Sequence, residues 1–320
     1  MHRKLGQQNL VDGLVADRVK RSQLDRILEI IDWSAVERLV EEIYSSPRGR
    51  PAYPPLVLVR ASLLAQWYSL SDPQLEEALG DRLSFRRFVG LSLEDQTPDH
   101  VTLWRFRQVL GEKGLDRKLL EEINRQLESR GLLLKRGTLL DASLVKAQAR
   151  RPPMPSQGRP TEDPVDADAN WTRQYGRYHY GYKAHLGVDE GSGLVRRAVL
   201  TPAKVYESQV ADDLICGDER AVYADRAYEH KDRRRRLKAL GIKDRIMHRS
   251  HKNQNGLPQW QSRRNALIRP IRQRVERIFG TLKRSYGYTH VRYFSLAANT
   301  TQLYLLTTAL NLRRAAVLLA

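Results

Sequence analysis

The feature that most constrains the fold is a change of hydrophobic period near residue 132. Before it, apolar residues recur at helical spacing. In LDRILEIID, Leu24, Ile27, Leu28 and Ile31 fall at i, i+3, i+4 and i+7. SAVERLVEEIY opens with Ser34 and Glu37 at capping-box spacing. PPLVLVRASLLAQWYSL reads as a buried helix that starts on prolines. Two short helices are expected over 71–80 and 81–89. In TPDHVTLWRFRQVLG, Leu103, Phe106 and Leu110 share one face, leaving Arg105, Arg107 and Gln108 to point elsewhere. After residue 132 the pattern becomes that of strands. LLLKRGTLLDASLVKA reads as one, and HYGYKAHLGVD and GLVRRAVLTP flank the turn signal EGSG as a hairpin. AVYADRAY and DRIMH supply two more strands, with helices expected from Glu207 to Cys216, over EHKDRRRRLKALG, and over 270–286 and 299–318. The expected class is therefore α+β. An all-α domain over 1–131 precedes an α/β domain over 132–320, built on a five-stranded mixed sheet. The proline-rich residues 151–172 read as an exposed loop within it.

Charge divides the chain in the same way. The net charge is +18. Residues 1–140 carry 22 Lys and Arg against 20 Asp and Glu, whereas 141–320 carry 33 against 17. A positive field of that size on a folded domain points to a polyanion, most simply nucleic acid; a bacterial membrane surface or ribosomal RNA would also suit it, and charge alone does not choose among them. The single cysteine, Cys216, excludes an internal disulfide framework and a Cys-based zinc cluster. No signal-peptide pattern is present, and the apolar C-terminal segment is interrupted by Arg313 and Arg314. A soluble cytoplasmic protein with no membrane partner is expected.

Three carboxylates stand where chemistry would use them. Asp141 interrupts an apolar strand, a costly position unless the charge is exposed or partnered. Asp225 ends a buried strand, where sites form in open sheets. Glu276 is the only acid beyond Asp244. At about 100° per residue, Ile268, Ile271, Val275, Ile278 and Leu282 make the buried stripe of its helix. Arg272, Glu276 and Lys283 then lie within about 40° of one another on the flank of that stripe, with Arg269 slightly further round. Taken singly, each acid has a structural explanation: an edge-strand residue, a helix cap, an ion-pair partner. Together they form an all-oxygen set suited to Mg2+ or Mn2+. Two such ions about 3.5–4 Å apart can drive phosphodiester displacement.

In these residues the chain resembles the DDE transposases of bacterial insertion sequences, and within them the insertion sequence 5 family. The resemblance rests on YPPLVLVRASLLAQWYSLSDPQLEEALGDRLSFRRFVGL, PDHVTLWRFRQVL, TLLDASLVKA, GYKAHLGVD with VYADRAYEH, and RQRVERIFGTLKR. It implies an RNase H-like catalytic domain with Asp141, Asp225 and Glu276 as the catalytic and metal-binding triad, two Mg2+ or Mn2+ ions per site, and DNA cleavage followed by transfer of the freed 3′-OH. The implied partners are double-stranded DNA, as element terminal inverted repeats and target, and further copies of the chain in a homodimer or higher oligomer on DNA. Related transposases carry Tyr-x2-Arg-x3-Glu-x6-Lys around the glutamate. Arg272, Glu276 and Lys283 match it, but Arg269 stands at the tyrosine. Only about fifty residues separate Asp225 from Glu276, leaving no room for a large β-rich insertion.

Arg269, Arg272, Lys283, Arg284, Lys183 and His185 are the candidate DNA and phosphate contacts, with His185 alternatively a structural hydrogen-bonding residue. Trp260 is a candidate for stacking on an unpaired base, or a packing residue. Arg105 and Arg107 are candidates for end recognition on a helix-turn-helix, or solvated arginines of a helical packing domain. The RRRR run at 233–236 reads as a solvated helix face. Two other functions suit the same residues: an inactive, domesticated DNA binder, and an RNase H-like nuclease that cuts without joining.

Overall fold

A computed structural model describes Arg3, Leu5, Gly6 and residues 21–44, 51–149, 166–174, 176–250 and 256–320. The chain forms two compact units, Met1–Arg130 with Tyr304–Ala320, and Gly131–Leu303. The first is helical, with α1 (Gln23–Ile30), α2 (Trp33–Val40), α3 (Pro55–Trp67), α4 (Asp72–Asp81), α5 (Leu83–Val89), α6 (His100–Glu112) and α7 (Leu115–Ser129). α3 has apolar residues on every side and is buried accordingly, with Leu58, Val59, Leu63 and Leu64 fully covered. α2 is capped by Asp32, whose carboxylate accepts the Ser34 N–H at 3.0 Å. Ser34 therefore lies one turn position inside the helix and is not the cap its spacing suggested. Leu103, Phe106 and Leu110 of α6 are buried as expected. Arg107 is buried too, its guanidinium paired with Asp72 of α4. The final helix, α12 (Leu296–Leu318), begins in the second unit and contributes its last turns to the core of the first. There the Trp67 indole N–H donates to the Ala309 carbonyl at 2.8 Å.

The second unit is a six-stranded mixed sheet of β1 (Thr138–Lys146), β2 (Asn170–Gln174), β3 (Arg177–Asp189), β4 (Val195–Pro202), β5 (Ala221–Ala224) and β6 (Lys243–Ile246). β3 pairs antiparallel with β1 on one edge; β4 and β2 follow one another along its other edge. β5 runs parallel to β1, and β6 parallel to β5. The strand order β4–β3–β1–β5–β6, with β3 antiparallel among β1, β5 and β6, is what an RNase H-like domain requires. The sixth strand, β2, was not expected. Asn170–Gln174 falls at the end of the segment read as loop, and NWTRQ has no clear alternation. Tertiary pairing with β3, and a Trp171–Tyr180 ring contact at 5.4 Å, make it a strand. Residues 151–165 of the expected loop lie outside the described residues.

Alternation along β1 sorts the helices. Leu140, with Val222 and Ala224 of β5 and Ile246 of β6, packs against α8 (Glu207–Leu214) and α9 (Lys231–Ala239). Gly187, opposite Leu140, lets α8 come close: a Cβ there would sit 2.7 Å from the Leu214 carbonyl. Asp141 points to the other face, toward α10 (Gln259–Arg272) and α11 (Arg274–Ser285).

Candidate active site

Strand register brings the first two acids together. β1 and β5 pair in parallel at Thr138↔Val222 and Leu139↔Tyr223. Two residues further on, the same register sets Asp141 beside Asp225. β5 stops at Ala224, because Asp225 caps a 3-10 turn (Arg226–Tyr228) and accepts the Ala227 N–H at 2.8 Å. The neighbouring edge of β1 is thereby freed around Asp141. The Asp141 side chain is only 17% exposed. Burial pushes its carboxyl up to about 7, and the charges of Asp225 and Glu207 add to the rise. The Arg272 guanidinium and a hydrogen bond from the Ala142 N–H oppose it without cancelling it.

The third acid arrives through an arginine. The single long helix expected over 270–286 is two: α10 runs through Pro270 to Arg272, and α11 starts at Arg274. Ile268, Val275, Phe279 and Leu282 are buried along them, while Ile271 and Ile278 are half-buried. Arg272 lies at the C-terminal end of α10 and Glu276 in the first turn of α11, so each charge complements its helix dipole. Arg272 Nη2 donates to Glu276 Oε1 at 2.6 Å, and its Nη1 lies 3.6 Å from Asp141 Oδ1. The guanidinium thus bridges the buried aspartate and the exposed glutamate. Among the described residues no group of three or more His, Cys, Asp or Glu side chains is gathered so as to hold a metal ion. Asp141 and Asp225 are neighbours by strand register; Glu276 is joined to Asp141 by Arg272.

Two site residues were not found from sequence. Glu207, the first residue of α8, is largely buried; burial raises its carboxyl, Asp225 adds to the rise, and Lys183 and Arg272 oppose it. Tyr228 is fully buried, and its hydroxyl has no hydrogen-bond partner. Burial raises its phenol far above the usual range, and the charges of Glu207, Asp141 and Asp225 add to the effect. Arg233 holds the backbone next to both, donating to the Tyr228 carbonyl at 2.5 Å and to the carbonyl of Ser208, the residue after Glu207, at 2.6 Å. Arg233 is therefore buried, and Arg234 is paired with Glu229 and Asp244; only Arg235 and Arg236 of the run present the solvated face that was expected. A signal was available in sequence: each acid or phenol follows the end of a strand, Glu207 after β4 and Tyr228 after β5.

The remaining candidates are dispersed. Lys183 and His185 lie on β3, beside β1, but His185 is opposite Ala142 and so faces the α8 side, away from Asp141. Lys183 Nζ donates to the Val205 carbonyl at 2.9 Å and stands 3.8 Å from Glu207. His185 is buried, with Nε2 2.9 Å from Thr201 Oγ1; burial, together with the charge of Lys183, lowers its pKa to about 3, so the ring is neutral. Lys283 is half-buried and lines a cleft of about 320 Å³ with Ala142, Lys146, His179 and Thr289; burial lowers its pKa. Arg269 and Arg284 are exposed. Trp260 is 59% exposed and meets the His248 ring edge-on at 5.2 Å. In the helical unit Arg105 is exposed, whereas Arg107 is occupied by Asp72.

Asp141 and Asp225 supply hard oxygen donors, and the like charge crowded around them is what a divalent cation would neutralise. Comparison with known families agrees with this chemistry. Residues 133–312, more than half of the chain, match the family described as Transposase DDE domain, and residues 15–109 match Transposase domain (DUF772). No solved structure matches the chain. The DDE family implies a nucleic-acid-cleaving enzyme, DNA partners and use of a divalent metal. With Asp141 largely buried beside Asp225 at a strand end and Glu276 tied to Asp141 through one arginine, the chain belongs to the DDE-domain transposases of insertion sequences.

Proposed function

We propose that the protein is a transposase of the insertion sequence 5 type. In this reading it binds the terminal repeats of its element, cleaves DNA there, and joins the freed 3′-OH to a target, with Asp141, Asp225 and Glu276 as catalytic residues. The observation that carries the reading is Asp141: a carboxylate held in a buried, like-charged position that costs stability and is stabilised fully by nothing in the chain itself. Bound divalent cations would supply activation of the attacking oxygen and stabilisation of the leaving one.

The chain's own residues do the rest. Asp141 and Asp225 hold the cation site at the open edge of β1. Arg272 is shared between Asp141 and Glu276 in the free protein; a scissile phosphate competes for the guanidinium and frees Glu276 to turn toward the aspartates. Lys283, Arg284 and Arg269, on the same helix pair, hold flanking phosphates by charge. The helical region, 1–131, contributes end recognition through the exposed Arg105, and copies of the chain pair on DNA. None of the described helices is long and apolar enough to cross a membrane, and the reaction is assigned to DNA in the cytoplasm.

The test is incubation of the full chain with element ends, Mg2+ and a target plasmid. Joined products are expected. Cleavage without joining would replace the reading with that of a nuclease, and a gel shift with neither would leave only a DNA binder.

A further inference from the structure

Glu207 is a carboxylate that the triad does not use, yet it belongs spatially to the same site. It opens α8 directly after β4, on the face of the sheet opposite the one from which Arg272 approaches Asp141. Its carboxyl nonetheless feels the charges of Asp225 and Arg272, and its own charge acts on Asp141 and Tyr228. The sheet ends at Asp225, so groups from both faces meet around the end of β5.

Carboxylates outnumber the cations that act on them there: Asp141, Asp225, Glu207 and Glu276 share Arg272 and Lys183. Lys183 is a weak partner for Glu207: it lies at 3.8 Å and already donates to the Val205 carbonyl. A second observation is independent of this count. The Tyr228 hydroxyl is fully buried beside these acids and bonds to nothing. An unpaired buried hydroxyl is costly, and at a functional site it marks a partner that arrives later. Arg233 fixes both Tyr228 and the start of α8, so neither group rests on a loosely held segment.

We propose that Glu207 is a fourth carboxylate of the cation site, holding a divalent cation jointly with Asp225, while the Tyr228 hydroxyl donates to the acids once that cation has ordered them. The inference rests on the cation reading of Asp141 and Asp225 given above. Glu207 thereby makes the site a two-sided one, with Asp141 and Glu276 presented from the α10–α11 face and Glu207 from the α8 face.

The test is Mn2+ binding to the full chain without DNA, read as free Mn2+ by electron paramagnetic resonance, with a melting curve for every variant. Glu207→Gln is expected to weaken Mn2+ at least ten-fold while melting as a folded protein, and Asp225→Asn at least as much. Glu207→Asp, which keeps the charge and shortens the arm, is expected to stay within about three-fold of wild type. Glu121→Gln, on the surface of α7, is expected to change nothing. Unaltered Mn2+ affinity in Glu207→Gln, beside its loss in Asp225→Asn, would remove Glu207 from the site and leave the triad reading standing. Equal binding by wild type, Asp141→Asn and Asp225→Asn would overturn the cation reading and this inference with it. If Glu207→Gln fails to fold, Glu207→Asp decides: the same affinity loss as Asp225→Asn would overturn the charge role.

Discussion

Asn in place of Asp141 should make the protein more stable, and the gain should depend on pH. In the folded protein the Asp141 carboxyl is pushed up to about 7 from an ordinary 3.8, first by burial and then by Asp225 and Glu207. The folded state therefore holds a proton on Asp141 that the unfolded state has already lost between about pH 4 and 7. Its contribution to stability falls as pH rises through that window and is level above it. Each pKa unit is worth about 1.4 kcal/mol, so the ionised carboxylate costs roughly 4 kcal/mol at pH 8 and about 1.5 kcal/mol at pH 5. Asp141→Asn removes this titration and leaves Arg272 its bond to Glu276. The stability difference between variant and wild type should accordingly grow by about 2–3 kcal/mol from pH 5 to pH 8. The assay is urea denaturation of both proteins at the two pH values with a chelator present. Comparing variant with wild type at each pH cancels the titration of other groups. Excess Mg2+ should narrow the gap at pH 8 by stabilising the wild type alone. A difference that does not change with pH would refute the claim that Asp141 is held in a strained, buried position.

Gly181 adopts φ +151, and a Cβ there would sit 2.3 Å from the Val145 carbonyl oxygen. Gly181→Ala should cost about 3 kcal/mol or more, or prevent folding, seen as a lowered melting temperature. Tyr228→Phe removes a hydroxyl that bonds to nothing in the free protein, so thermal stability without metal should stay within about 1 kcal/mol of wild type or rise. Arg107→Ala should lower stability by about 3–5 kcal/mol by leaving Asp72 unpaired, whereas Arg105→Ala should leave melting unchanged and weaken end binding in a gel shift. End binding should also fall steeply with salt, as phosphate contacts by Lys283, Arg284 and Arg269 release counterions; a flat response would remove those residues from the DNA surface.

Much of this was legible in the sequence, for identifiable reasons. The switch of hydrophobic period located the passage from helices to sheet, and EGSG between two apolar runs gave the β3–β4 hairpin. Asp225 at the end of an apolar run, and Arg272 four residues before Glu276, are local patterns, and both have direct structural counterparts. What could not be read is non-local. β2 exists because β3 offers residues 177–181 as an edge, and nothing in NWTRQ announces that. Glu207 and Tyr228 reach Asp141 through strand pairing across about 65 and 85 residues of chain, beyond the reach of any periodicity. Asp32 displaced Ser34 as a cap because both types cap well and only the backbone decides between them. Arg107 looked like an outward residue of α6 because its partner, Asp72, lies on another helix. The apolar C-terminal helix gives no sign in its own sequence that Tyr304–Ala320 joins the first unit.

The central claim is that Asp141, Asp225 and Glu276 act together on a phosphodiester bond. It is tested most directly by cleavage of a labelled element end in Mg2+ by Asp141→Asn, Asp225→Asn and Glu276→Gln beside wild type, with end binding measured on the same samples. The account predicts cleavage lost by at least a thousand-fold in all three, with binding within a few fold of wild type. Substantial cleavage retained by any one of them would contradict it and take that residue out of the mechanism.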